Sequence, residues 1–144
     1  PVSYVNAPIL ARAAGINMRE VNSTETDEYV NLLTLICKDH HSISGTLTGR
    51  RGEQRIVEID GHSFDVPPAE HMLVISNDDR PGVIGSVGVI LGNAEVNITD
   101  MDVGRVADAD TAVMLLATTT EVPADVLDAL RAAPGILSVD ELHG

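Results

Sequence analysis

Aromatic residues are scarce: 2% of 144 residues, with no tryptophan and one phenylalanine. A packed core must therefore come from Val, Ile, Leu, Ala and Met, and the 44% hydrophobic content is enough for one ordinary domain or two small ones. Apolar runs of the ~18 residues needed to cross a bilayer are absent, and no signal peptide is visible, so a membrane is not an expected partner. Cysteine is nearly absent. Cys37 alone excludes an internal disulfide and fits a reducing, cytoplasmic setting. Within "NLLTLIC", with no His or Asp partner adjacent, it reads as buried and inert. Positive charge is also scarce, and the net charge of −13 repels phosphate backbones, which argues against nucleic acid. His40, His41, His71 and His143 lack metal-ligand spacing, so no metal site is expected. The sequence opens at Pro1 rather than Met, which suggests a piece of a longer or processed protein.

What charge there is divides unevenly. Residues 1–70 carry a net −4 and residues 71–144 a net −9. Between them lies "FDVPPAEHM", whose Pro67-Pro68 can continue neither a helix nor a central strand. Two units are expected, 1–69 and 70–144.

In the first unit, Val5, Ile9, Leu10 and Ala13 have helical spacing, with Pro8 in the first turn and Gly15 as a stop. Strands are expected at "INMREV", "DEYVNLLTLIC", "SISGTLTG", "EQRIVEID" and "HSFDV", the last two joined by the hairpin signal Asp60-Gly61. The second unit reads strand "HMLVIS", helix from Pro81 to about Leu91, and strand "AEVNITDMDVGR". A second strand, "DADTAVMLLATT", follows an acidic turn. Helix "PADVLDALRAA" has Pro123 at its first position and Val126, Leu127 and Leu130 on one face, and strand "GILSVDEL" ends the chain. The fold class is therefore α+β: a helix plus a mostly antiparallel sheet, then a ferredoxin-like βαββαβ unit.

The segment "SNDDRPGVIGSVGVILGNAEVNI" carries the functional question. Its glycines are spaced G-x-x-G-x-x-G-x-x-x-G, which lacks the G-x-G of a dinucleotide site and is no phosphate loop. Gly85, Gly88 and Gly92 share one helix face, and each costs about 1 kcal/mol relative to Ala. Close approach of a neighbouring backbone, from the sheet, a second helix or another subunit, would offset that cost. It leaves Asn77, Asp78, Asp79 and Asn97 unexplained. With Pro81 at the first helical position, Asp79 and Arg80 flank the N-cap, where free N–H groups can meet a small ligand's carboxylate. Asp79 could hold an ammonium group, and an amide such as Asn97 can donate and accept. Simple capping accounts for the same acids, and the residues alone do not choose between the two.

"DDRPGVIGSVGVILGNAEVNI" resembles the opening of an ACT domain, R-P-G-[VAL]-[IL], a helix, then G-V-N-I, over about residues 71–143, with Glu95 where Gly is common. "YVNAPILARAAGI", "GTLTG", "RIVEIDG" and "FDV" resemble the intervening domain of the longer D-3-phosphoglycerate dehydrogenases. The resemblance implies the regulatory part of an NAD-dependent oxidoreductase of L-serine biosynthesis, non-catalytic and without cofactor in this segment. It further implies L-serine as feedback ligand at paired ACT domains, in a homodimer or larger homo-oligomer. Carried over position by position, the ligand contacts are Asn77, Asp79 and Asn97, with Arg80 and the backbone of Pro81, Gly82, Val83 and Ile84. A His or Tyr ring is frequent in the family where Asn77 stands. The intervening domain in some relatives holds an anion, and the matching positions are Arg55 and His62, with Arg50 and Arg51 nearby; a solvated basic turn is the plainer reading of these. Two other functions fit the same resemblance: an assembly domain without ligand, or the sensor of another enzyme such as a serine dehydratase.

Overall fold

The computed structural model describes residues 2–3, 5–17, 19–21, 29–38, 40–105 and 111–143. The elements in order are α1 (Ala7–Ala13), β1 (Leu33–Ile36), β2 (Ser42–Thr48), β3 (Glu53–Ile59), β4 (His62–Val66), β5 (His71–Asp78), α2 (Val83–Asn93), β6 (Ile98–Arg105), β7 (Thr111–Thr118), α3 (Ala124–Arg131) and β8 (Ile136–His143). They form two four-stranded antiparallel sheets, ordered β1-β2-β3-β4 and β6-β7-β5-β8. The second sheet with α2 and α3 is the expected βαββαβ arrangement.

Local chemistry explains most of the boundaries. Asp60 and Gly61 both have positive φ, 49° and 79°, and make the two-residue turn joining β3 to β4. Pro67 to Glu70 stay irregular between the sheets, as two prolines require. Val126, Leu127 and Leu130 of α3 are buried as their spacing predicts.

Several expectations are corrected. The described residues of "INMREV" form no strand, because a short apolar-polar alternation needs a partner strand to become one. Cys37 is exposed, not buried, because it follows β1, which lies at the sheet edge with all four residues exposed. The apolar side of α1 is likewise uncovered, with Ile9 at 68% and Leu10 at 45% exposure. Gly82 (φ 96°), rather than Asp79 or Arg80, is the N-cap of α2, which puts Pro81 before the helix. Pro123 is the N-cap of α3 rather than its first residue. The acidic turn before β7 falls outside the described residues.

The two halves share a core. One face of the second sheet, through Leu73, Ile75, Met114 and Leu116, packs beneath Val83, Val87 and Leu91 of α2 and Leu127 and Leu130 of α3. The opposite face, through Met72, Val113, Leu115 and Ala117, packs on Ile56, Ile59, Phe64 and Val66 of the first sheet. Seven of the eight residues of β7 are buried, and its unbroken apolar run follows from cover on both sides. Phe64 lies so close to β6 that a Cβ on Gly104 would come within 2.8 Å of the ring. Asp102 fastens the contact: its Oδ2 accepts the Asp65 N–H at 2.9 Å across the sheets, while its Oδ1 accepts the Val103 N–H at 2.8 Å.

Candidate ligand-binding site

β5 delivers its last residues to the start of α2. Asn77 lies on the same alternating side of β5 as Leu73 and Ile75 and is 3% exposed. Its Nδ2 donates to the Ala112 carbonyl at 3.0 Å, so the amide ties β5 to β7. Asp79, Arg80, Pro81 and Gly82 are exposed, Val83 is buried in the core, and Ile84 is exposed. Among the described residues no side chain caps α2, and the Ser86 N–H donates to the Gly82 carbonyl at 2.9 Å. The start of the helix therefore presents backbone donors with the positive end of its dipole.

Asp78 organises the turn. Its N–H donates to the Gly135 carbonyl at 2.9 Å, and its carbonyl accepts the Arg80 N–H at 2.7 Å. Its Oδ2 pairs with the Arg80 guanidinium, and that carboxylate raises the Arg80 pKa above its ordinary value. Sequence reasoning treated Asp78 as one polar residue among several and did not single out Gly135. The Pro134-Gly135 pair is a turn signal, but nothing in it points to β5.

Asn97 is exposed and stands just before β6, with its carbonyl accepting the Thr119 N–H at 3.0 Å. The strand registers set its distance from the Asp79 end. Asn77 is opposite Ala112, whereas Ile98 is opposite Thr118. Six residues of β7 separate these levels, about 20 Å at ~3.3 Å per residue. One chain thus places Asp79 and Asn97 at opposite poles of the second unit, and α2 runs from one pole to the other.

The outward face of α2 is unusual. Val83, Val87 and Leu91 face the core, while Gly85, Gly88 and Gly92 are exposed beside Ile84 and Val89. A Cβ on any of these three glycines would meet nothing within 4 Å among the described residues. Neither the sheet nor α3 supplies the close approach expected of them. The helix carries no charged residue, in a chain of net charge −13.

The basic residues of the first sheet are spread out. Arg50 and Arg51 occupy the exposed β2–β3 turn. Arg55 Nε lies 3.5 Å from Asp65 Oδ1, beside a cleft of about 520 Å³ whose walls include Leu33, Thr46 and Ile56. His62 is opposite Ile59 at the far end of the β3–β4 hairpin, its Nδ1 3.1 Å from the Asp60 carbonyl oxygen. These four residues do not converge on one point. His62 instead joins a cluster at Asp60, whose carboxylate accepts the Ser42 N–H at 2.7 Å and bonds His41 Nδ1 at 2.8 Å. Partial burial pushes the Asp60 pKa up, but the bonds from His41 and Ser42 outweigh it, and the net shift is downward.

The ACT domain family model matches residues 71–135, and the D-3-phosphoglycerate dehydrogenase intervening domain model matches residues 1–60. The chain is 36% identical over 138 residues to D-3-phosphoglycerate dehydrogenase of Synechocystis, covering 94% of this chain and 25% of that protein. It is 34% identical over 141 residues to the enzyme of that name from Methanocaldococcus jannaschii, covering 96% of this chain and 26% of the relative. For the Bacillus subtilis enzyme the identity is 35%, with 96% and 27% covered. The chain spans about a quarter of the length of these relatives.

Proposed function

The chain joins a D-3-phosphoglycerate dehydrogenase intervening domain to an ACT domain, and on that premise we propose that it is the regulatory part of such a dehydrogenase, binding L-serine between paired ACT domains. The catalytic part, an NAD-dependent cytoplasmic oxidoreductase, lies elsewhere in the parent protein, and serine is its end-product inhibitor. The observation that carries this reading is the separation of Asp79 and Asn97 at opposite poles, with an uncharged glycine face between them. A second copy related by a two-fold axis, with its α2 antiparallel, brings the Asp79 pole of one chain to the Asn97 pole of the other. It does so twice, giving two equivalent sites.

In each site the start of α2 receives the ligand carboxylate, Asp79 receives the ammonium, and the partner's Asn97 closes the pocket. Covering the glycine face offsets about 1 kcal/mol of lost helix propensity per glycine. Serine regulates by favouring the paired arrangement over others, and its effect on the catalytic part equals its differential affinity for the two.

The test is calorimetric titration of L-serine into the chain, with glycine and D-serine as controls. Saturable, stereoselective binding at one serine per chain or fewer is expected, with Asn97→Ala and Asp79→Ala each weakening it. No heat and no thermal shift at millimolar serine would sink the proposal. One observation favours a second reading: Asn77 spends its amide inward on Ala112, as suits an assembly domain without ligand. In that case Asn97→Ala leaves pairing intact and serine changes nothing.

A further inference from the structure

Three segments of the second unit meet at one carboxylate. Asp78 ends β5, Val83 opens α2, and Gly135 precedes β8. Gly135 has φ 90°, and a Cβ there would overlap Asp78 Oδ1 and come within 2.9 Å of Val83 Cγ2. The Asp78 side chain therefore sits in a slot that exists because residue 135 has no side chain. Within the slot Oδ1 is buried and accepts no hydrogen bond from the described residues. Its companion Oδ2 faces outward and pairs with Arg80, whose side chain is 67% exposed.

A carboxylate oxygen withdrawn from water without a donor is unfavourable by itself. It persists where the rest of the residue is over-determined, and Asp78 is held by three bonds. Its N–H is committed to Gly135, its carbonyl to the Arg80 N–H, and its Oδ2 to the Arg80 guanidinium. Asp78 and Arg80 thus clamp the stretch from which α2 starts, including Gly82 with its left-handed φ of 96°. The same residue fixes the turn that opens β8.

We infer that Asp78 is a positioning residue for the amino-acid site: it does not touch the ligand, but through Arg80 it holds the start of α2 in the geometry that presents the helix N–H groups. This rests on the serine-binding reading above. It also makes the β8 turn a part of the site, because a shift of Asp78 moves Gly135 with it.

The experiment titrates L-serine into the wild-type chain, Asp78→Ala, Asp78→Asn, Arg80→Ala and the Asp78→Ala/Arg80→Ala pair. Amide exchange of Gly82–Gly85 and of Gly135–Leu137 is measured for each without ligand. Asp78→Ala is expected to weaken serine about tenfold and to speed exchange in both stretches. Asp78→Asn, which keeps the shape in the slot, stays within about threefold of wild type. Arg80→Ala repeats the loss, and the double variant is no worse than either single, as two residues acting as one unit require. Serine affinity of Asp78→Ala equal to wild type overturns the inference, as does a double variant whose loss is the product of the singles. Should Asp78→Ala fail to fold, unchanged serine affinity in Arg80→Ala overturns it equally. A wild-type chain that binds no serine removes the sensor reading. The clamp then stands if exchange accelerates in both stretches and falls if it does not.

Discussion

Glu95 offers a sharp test of the backbone reasoning. It follows the C-terminal end of α2 with φ 58°, a left-handed conformation. The bonds around it form a Schellman closure: the Val96 N–H donates to the Leu91 carbonyl at 3.0 Å, and the Glu95 N–H to the Gly92 carbonyl at 3.1 Å. The apolar contact that accompanies such a closure is present, since Val96 and Leu91 are both buried in the core beneath α2. Every part of the motif favours glycine at position 95, and the side chain there is exposed. A non-glycine residue in this region is unfavourable by about 1–2 kcal/mol. Glycine returns about 0.5–1 kcal/mol of this through its greater freedom in the unfolded chain. Glu95→Gly is thus expected to stabilise the fold by about 0.5–1 kcal/mol, roughly 2 °C in Tm for a chain of this size. Glu95→Ala removes the same charge but keeps the strain, and should gain almost nothing. Thermal and urea unfolding of the three proteins, followed by circular dichroism, decide the matter. A Glu95→Gly variant no more stable than Glu95→Ala would refute the argument, because the difference between them isolates the backbone.

Other consequences follow from the helix face and the hairpin. Gly85→Ala, Gly88→Ala and Gly92→Ala meet no atom within 4 Å, so each should stabilise the single chain by about 1 kcal/mol while weakening its self-association. Unfolding at low concentration and sedimentation at high concentration separate the two effects, and unchanged association in all three would remove the glycine face from the interface. The folded-state pKa of Asp60 lies below its ordinary 3.8. A depressed carboxylate pKa contributes stability above the unfolded value and loses it as pH falls through the folded one, so the loss belongs below about pH 3.8. Asp60→Asn, which tolerates the positive φ of the turn, should flatten the acid limb of the stability curve. An acid limb identical to wild type would show that the His41 and Ser42 bonds to Asp60 contribute no pH dependence.

Most of the fold was legible because its signals are local. The Asp60-Gly61 turn, the apolar stripe of α3 and the Pro67-Pro68 break each act within a few residues, and the structure follows them. The misreadings share a cause: burial depends on what lies alongside. "NLLTLIC" has the composition of a core strand, yet it became an exposed edge because the sheet order leaves β1 with one neighbour. The packing of the first sheet on the second has no local signature, since alternation on β5 and the continuous run on β7 each fit several arrangements. Pro81 lies two positions before the first residue of α2, because Gly82 with its left-handed φ intervenes as the N-cap.

For the site the limit was of another kind. Residue chemistry marked Asp79, Arg80 and Asn97 as polar groups around a helix, and closeness along the sequence suggested closeness in space. The topology reverses that expectation: β5 and β6 run parallel on either side of β7, so a chain that leaves β5 must travel back along α2 for the length of the sheet before it enters β6. Residues flanking α2 on either side must then lie at opposite poles, whatever their chemistry. Groups that fit one small ligand but sit about 20 Å apart can act together only through a second copy of the chain. The three glycines add weight to that argument because they face outward along the path that joins the poles. If they served the fold of one chain, they would lie beside Val87 and Leu91 against the sheet, where a close approach would compensate them. Their outward placement makes the surface that a partner helix would cover the costliest part of α2 to leave bare.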